Sequence, residues 1–189
     1  MMDWPLTPHH FLDRAARLFP RKEIATRTAA GMHRYTYADF HRRVHRLAHA
    51  LTRLGIGRGD RVATFAWNTY RHLEIYFAAP CMGAVLHTLN IRLAPDQLIY
   101  IINHAEDRVI FVDASLVPLL ERIRDHIPTV KAFVIMSEAG PVQTSLSPAL
   151  DYEALLAESP EAPYPWPRLD ENAAAGMCYT SGTTGNPKG

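Results

Sequence analysis

One stretch of this sequence, YTSGTTGNPKG at residues 179–189, concentrates groups that bind anions. It carries the glycines Gly182, Gly185 and Gly189, the hydroxyls of Thr180, Ser181, Thr183 and Thr184, and the cation Lys188. Successive backbone N–H groups in such turns converge their dipoles on an anion. Gly182 and Gly185 permit close approach and positive φ angles. The hydroxyls donate hydrogen bonds, and Lys188 supplies a mobile point charge. The chemistry implied is binding of a nucleotide polyphosphate. The bland alternative is a flexible turn with a solvated lysine, because short Gly/Ser/Thr segments match such patterns by chance. A P-loop of the GxxxxGK(S/T) type fails at two positions: with Lys188 aligned, Pro187 replaces the second glycine and Gly189 the magnesium-binding hydroxyl.

Three other groups invite chemistry. His41, His45 and His49 stand at i, i+4 and i+8, a spacing that aligns ligands on a helix. No carboxylate interrupts them as in HExxH, and Arg42, Arg43 and Arg46 repel a cation, so a solvated helix flank is expected and no metal site. Cys178 lacks an identified histidine partner and reads as a small apolar strand residue rather than a nucleophile. Trp67, Tyr70, Tyr76 and Phe77 either line an acyl or coenzyme channel or belong to the core, and the core is favoured.

These groups need elements to position them. Thr7-Pro8 opens a short helix with Phe11, Ala15, Leu18 and Phe19 on one side. Residues 23–28 and 33–37 read as strands about the turn Ala29-Ala30-Gly31-Met32. Thr36 and Asp39 form a capping box for a helix with Phe40, Val44, Leu47, Leu51 and Leu54 on one stripe, stopped by Gly55. Strands are expected at 61–66, 84–89, 109–113 and 132–136, and helices at 70–82, 95–104 and 116–126. Such alternation implies parallel βαβ units covered on both faces. Residues 137–149 read as a loop, 151–157 as a short helix, and 159–167 as a proline-rich connector. A last strand at 173–179 then delivers the chain to the glycine-rich segment.

Composition sets the frame. The 189 residues are 48% hydrophobic and 21% charged with a formal charge of +1, an ordinary globular balance that offers no case for nucleic acid or an anionic membrane. The two cysteines are far apart, which argues against a disulfide scaffold or zinc site and fits a reducing cytoplasm. Neither a signal-peptide core nor a transmembrane run of about 20 apolar residues is present.

The order Thr180, Ser181, Gly182, Thr183, Thr184, Gly185, Pro187, Lys188, Gly189 resembles the AMP-binding signature of the adenylate-forming superfamily. Arg34-Tyr35-Thr36-Tyr37 looks like that family's early strand-to-helix entry, and Gly59-Asp60-Arg61-Val62-Ala63 like its first buried strand. Residues 83–113 are similar to the medium- and long-chain fatty-acyl-CoA ligase branch, which includes ligases of methylthiopropionate-like acids. Ile91 departs from it, standing where many relatives carry proline. The resemblance implies an α/β fold, the N-terminal part of the large domain, with a mainly parallel βαβ sheet, flanking helices and an incomplete architecture. Residues 1–189 would be the start of an AMP-binding domain cut just after the phosphate loop. Acidic magnesium ligands, most of the acyl pocket and the small C-terminal domain with its catalytic lysine would follow beyond Gly189.

It further implies that Thr180, Ser181, Gly182, Thr183, Thr184, Gly185 and Lys188 hold ATP phosphates, with no catalytic residue and no metal ligand within the chain. The parent would use ATP, Mg2+ and coenzyme A to convert a carboxylic acid, through its adenylate, to a thioester. A homo-oligomer is left open. Two alternatives stay beside this reading: a catalytically dead fragment serving as a binding module, and an adenylating enzyme that loads an amino or aryl acid onto a carrier protein.

Overall fold

The computed structural model describes residues 4–180 and 187–189. It begins with helix α1 (His9–Leu18), whose buried contact is Leu12. The stripe expected to face inward lies the other way: Phe11, Leu18 and Phe19 are exposed. A single residue, about 100° around the helix, separates Leu12 from Phe11, and the apolar pattern alone did not tell which one meets the core.

Strands β1 (Glu23–Thr28) and β2 (Gly31–Thr36) pair antiparallel as a separate hairpin. Its turn is only Ala29-Ala30, so Gly31 and Met32 belong to the second strand. Tyr37 then starts helix α2 (Tyr37–Arg53) through the anticipated capping box. The Asp39 N–H donates to Thr36 Oγ1 at 3.2 Å, and the Thr36 N–H to Asp39 Oδ2 at 2.9 Å. Gly55, at φ +78°, ends the helical segment where a side chain would be strained.

The remaining strands form one six-stranded sheet: β3 (Arg61–Phe65), β4 (Val85–Thr88), β5 (Asp107–Asp113), β6 (Ala132–Met136), β7 (Ala149–Asp151) and β8 (Gly176–Met177). Their spatial order is β7-β6-β5-β3-β4-β8, and every neighbouring pair is parallel. Helices α3 (Tyr70–Cys81), α4 (Pro95–Ala105), α5 (Val117–Glu121) and α6 (Tyr152–Ala157) make the connections. Alternation sends Val109 and Phe111 to the face covered by α2, α3 and α6, and Ile110 and Val112 to the face covered by α4 and α5. Burial on both faces is why these strands are apolar at consecutive positions.

Three expectations need correction. Residues 116–126 do not form one helix; α5 is flanked by 3-10 turns at Ala114–Leu116 and Arg124–His126. Leu116, Leu120, Ile123 and Ile127 are nonetheless buried, so the periodicity is met by short pieces. Residue 149 is not loop, since Ala149 opens the edge strand β7. At the other edge, only Gly176–Met177 of the expected 173–179 strand pairs, because Ala173 turns back on Asp170 through a 3.0 Å backbone bond.

A buried charge cluster ties the helices of one face together. Arg43 of α2 donates from Nε to Glu74 of α3 at 2.7 Å and from Nη1 to Glu153 of α6 at 2.9 Å. Arg71 reaches the same Glu153 at 2.8 Å, and the Tyr152 hydroxyl donates to Glu74 at 2.6 Å. Glu74 is fully buried, and burial pushes its carboxyl up against the opposing pull of Arg43.

The connector at 159–167 lies along α2, and the histidine row is its seat. His45 Nδ1 accepts the Tyr164 N–H at 2.7 Å, and His49 Nε2 bonds the Ala162 carbonyl at 3.0 Å. The Trp166 ring stands 4.7 Å from His45, and Tyr164 meets His49 edge-on at 5.0 Å. Burial, with His41 beside it, pushes the His45 imidazole down to about 4. The unfolded chain, with its histidine at about 6.5, therefore binds the proton first as pH falls. Stability on the order of 3 kcal/mol is expected above pH 6.5 and lost progressively towards pH 4. Urea unfolding measured across that window should show the decline, and His45→Gln, which cannot titrate, should flatten it. An equal slope in the variant would remove His45 as the cause.

Candidate functional site

The glycine-rich segment leaves the carboxyl end of β8. In open parallel sheets, loops at that end bind ligands because strand-to-helix connections open a crevice there. Edge strand β8 is fixed to β4 in the register Leu86↔Gly176 and His87↔Met177, and the Leu86 N–H donates to the Ala175 carbonyl at 3.1 Å. Thr180 and Lys188 then face each other in an antiparallel bridge. The Thr180 N–H donates to the Lys188 carbonyl at 3.0 Å, and the Lys188 N–H returns to Thr180 at 3.3 Å. These two bonds close the neck of a loop. Both side chains at the neck are exposed. Ser181, Gly182, Thr183, Thr184 and Gly185, the other expected phosphate contacts, lie outside the described residues.

The neck is footed on Tyr179. Its hydroxyl bonds His104 Nδ1 of α4 at 2.6 Å, and its ring lies 5.2 Å from that of His87. A Cβ on Gly189 would come within 2.8 Å of the Tyr179 ring, so glycine is the residue that can close the neck there. His87, in β4, is itself fully buried and faces Asp107 at the start of β5. Its Nδ1–H donates to both carboxylate oxygens, at 2.9 and 2.8 Å. Burial raises the Asp107 carboxyl, and the hydrogen bond from His87 works against that rise. His87 Nε2 has no partner among the described residues.

At this neck the exposed Lys188 side chain is a cation available to an anion. Nothing at the neck among the described residues pairs a nucleophile with a base. Cys178 is exposed and outside β8, contrary to the apolar strand position expected of it. Of the four aromatics assigned to the core, Tyr70 is buried and Phe77 packs against the core, but Trp67 and Tyr76 are about half exposed. Tyr70 and Tyr76 border a groove of about 380 Å³ with Ile24, Thr26, His72 and Leu73. Asp13, His41 and His45 bring ligand atoms within 4.8 Å of one another. A metal on His45 Nε2 would require a proton on Nδ1, where the Tyr164 N–H already points. The triad does not fit a metal ion.

Sequence reasoning singled out the glycine-rich segment and missed the residues on which its neck is footed. His87, Asp107 and His104 come from separate elements, and no spacing links them. The one available signal was a histidine inside an apolar run, in AVLHTL.

Residues 12–189 match the family model described as AMP-binding enzyme. The chain is 50% identical over 190 residues to the long-chain-fatty-acid–CoA ligase of Thermus thermophilus, covering all of this chain and 34% of that protein. It is 45% identical to the 3-methylmercaptopropionyl-CoA ligase of Ruegeria lacuscaerulensis, covering all of the chain and 35% of the relative. Among solved structures, the anthranilate CoA ligase AuaEII bound to anthranoyl-AMP superposes with a TM-score of 0.86 at 22% identity, over 98% of this chain and 34% of that one. A Mycobacterium tuberculosis fatty acyl CoA synthetase gives 0.78 at 25% identity, over 96% and 33%. The chain thus spans about a third of the length of the relatives it matches.

The buried pair beneath the neck yields a stability prediction. His87→Ala leaves the Asp107 carboxylate buried without its partner and should cost about 3–5 kcal/mol in urea unfolding. Replacing both residues with leucine should recover most of that loss. If the double variant is as unstable as the single, the hydrogen-bonded pairing with Asp107 is not what His87 contributes.

Proposed function

The chain belongs to the AMP-binding enzyme family, and on that premise we propose that it is the N-terminal portion of an ATP-dependent acid–thiol ligase of the fatty-acyl-CoA type. The domain assignment is that residues 1–189 begin the large AMP-binding domain, with the small C-terminal domain supplied elsewhere in the full-length protein. In the first half-reaction the substrate carboxylate attacks the α-phosphorus of ATP, and the bond to the β-phosphate breaks to release pyrophosphate. In the second, the thiol of coenzyme A attacks the acyl carbonyl and AMP departs.

The observation that carries this reading is the bridge between Thr180 and Lys188. It closes a glycine- and hydroxyl-rich loop at the end of a parallel strand and sets a cation at its mouth. The role assigned to Thr180, Ser181, Gly182, Thr183, Thr184, Gly185 and Lys188 is to hold the β- and γ-phosphates. Negative charge collects there as pyrophosphate leaves, and donors fixed in advance stabilise it without reorganising. Magnesium would accompany ATP. Among the described residues the one cluster of three ligand-type side chains is Asp13, His41 and His45, which does not fit a metal ion.

Likeness along the whole chain to fatty-acid and methylmercaptopropionyl ligases favours an aliphatic acid. The anthranilate enzyme is alike in fold alone. The compartment proposed is the cytoplasm; no helix among the described residues is long and apolar enough to cross a membrane.

The test places residues 1–189 in a chimera with the remaining two-thirds of the Thermus relative and follows carboxylate-dependent ATP–pyrophosphate exchange. The chimera should exchange with a fatty acid, whereas the 189-residue chain alone should not. Lys188→Ala should slow exchange about ten- to a hundred-fold, the worth of a charge-assisted contact of roughly 1.5–3 kcal/mol. Undiminished exchange in the variant would take Lys188 out of the phosphate site.

A further inference from the structure

Each nitrogen of an imidazole ring offers either an N–H or a lone pair, never both. Two histidines of α2 grip the connector with opposite sides of that choice. His49 Nε2 meets the Ala162 carbonyl at 3.0 Å, so it carries a proton and donates. His45 Nδ1 receives the Tyr164 N–H at 2.7 Å, so it is bare. Protonating an imidazole puts a hydrogen on both nitrogens. The grip at Ala162 survives that change, and the grip at Tyr164 does not.

A bare Nδ1 fixes the other side of His45. The neutral ring carries its proton on Nε2, which lies 3.1 Å from His41 Nε2, and His41 must accept it with a lone pair. The same His41 Nε2 is 3.0 Å from Asp13 Oδ1 of α1, and a carboxylate there needs a donor. One ring nitrogen cannot serve both. With a lone pair on His41 Nε2 the connector is held and Asp13 goes without. With a proton there Asp13 is bonded, and His45 Nε2 has to turn acceptor. The His45 proton then sits on Nδ1, against the Tyr164 N–H. A charged His41 always has a proton on Nε2 and so imposes this second arrangement. One proton is taken up from solvent by His41, and His45 stays neutral with its own proton moved from Nε2 to Nδ1.

The other titratable and charged groups around the row are engaged elsewhere or stay neutral. His9, one turn before Asp13 on α1, meets Thr7 Oγ1 at 2.9 Å. Cys81 of α3, which senses the Asp13 charge, is a buried thiol pushed up to about 12 by desolvation. Arg42 pairs with Asp39, and Arg46 with Glu161 of the connector. The Tyr164 hydroxyl is 3.0 Å from Thr52 Oγ1.

We propose that this row is a proton-operated catch on residues 159–167. His49 holds the connector whether charged or not, His45 holds it only while His41 is neutral, and Asp13 favours the open arrangement by claiming the His41 proton. Leu169, buried beside Gly83, anchors the chain just past the connector and confines the opening to it. The inference stands on contacts within the chain and is independent of the ligase assignment.

Hydrogen exchange of the 189-residue chain tests it, read by mass spectrometry on peptides spanning 159–167 and corrected for the intrinsic effect of pH on exchange. Protection there should fall about tenfold between about pH 8 and 5, the worth of one hydrogen bond, while peptides of β5 keep theirs. In His41→Gln the side-chain carbonyl accepts from His45 Nε2 and the amide N–H donates to Asp13, so both are met at once. That variant should hold its protection to about pH 5 and open only towards pH 4, where His45 itself charges. His49→Gln, whose amide still donates, should keep the parent's fall. Asp13→Asn, which can donate to the His41 lone pair, should raise connector protection at about pH 8, and it carries the test if His41→Gln fails to fold. A parent without the fall, an unchanged fall in His41→Gln, lowered protection in Asp13→Asn, or an equal loss in β5 overturns the proposal.

Discussion

A carboxylate with no exposed surface organises one whole side of the molecule. Glu74 sits inside α3, and removing its charge from water is tolerable only because Arg43 and Tyr152 meet both of its oxygens. Arg43 belongs to α2 and Tyr152 to α6, so satisfying one group fixes three helices against the same sheet face. The dependence continues outward. α2, once placed, offers the seat along which the connector runs, and the connector leads to β8. The edge strand delivers the chain to the neck bridged by Thr180 and Lys188. The neck bridged by Thr180 and Lys188 thus traces its position back to a buried ion pair in the interior.

Much of the architecture was legible because local and tertiary demands agree. The Thr36–Asp39 box, the stripe from Phe40 to Leu51 and the stop at Gly55 all describe α2, and the helix is built on them. Continuous apolar runs such as AFVIM describe strands covered on both faces, and β6 is buried at every position. Agreement fails where an element owes its existence to a neighbour. β7 is three residues added to the exposed side of β6, and no internal pattern marks it. α1 shows the opposite failure: its apolar stripe is real, but Leu12 rather than Phe11 faces inward.

The candidate site divides in the same way. The segment stood out because its glycines, hydroxyls and lysine are nearly consecutive in the chain. Its supports did not, since Tyr179 rests on His87 from β4 and His104 from α4, and His87 rests in turn on Asp107 from β5. Sequence separation among these residues carries no period. Buried polar pairs of this kind look, in a linear reading, like isolated breaks in apolar runs. The histidines of α2 were instead conspicuous by their period, and that period answers to a structural neighbour.

That neighbour gives the histidine row its meaning as a vernier. Between His45 and His49 the helix advances four residues, about 6 Å. The facing contacts, Tyr164 and Ala162, are two residues apart, and a proline-rich extended chain also advances about 6 Å in two residues. The two scales are commensurate and run in opposite directions. Prolines at 163, 165 and 167 alternate with Tyr164 and Trp166, so every second residue meets the helix. Gain or loss of a single connector residue would therefore swap prolines for aromatics all along the seat. A change of two residues would need only a slip of about one helical turn. The fit of this strap to the helix depends on parity more than on length.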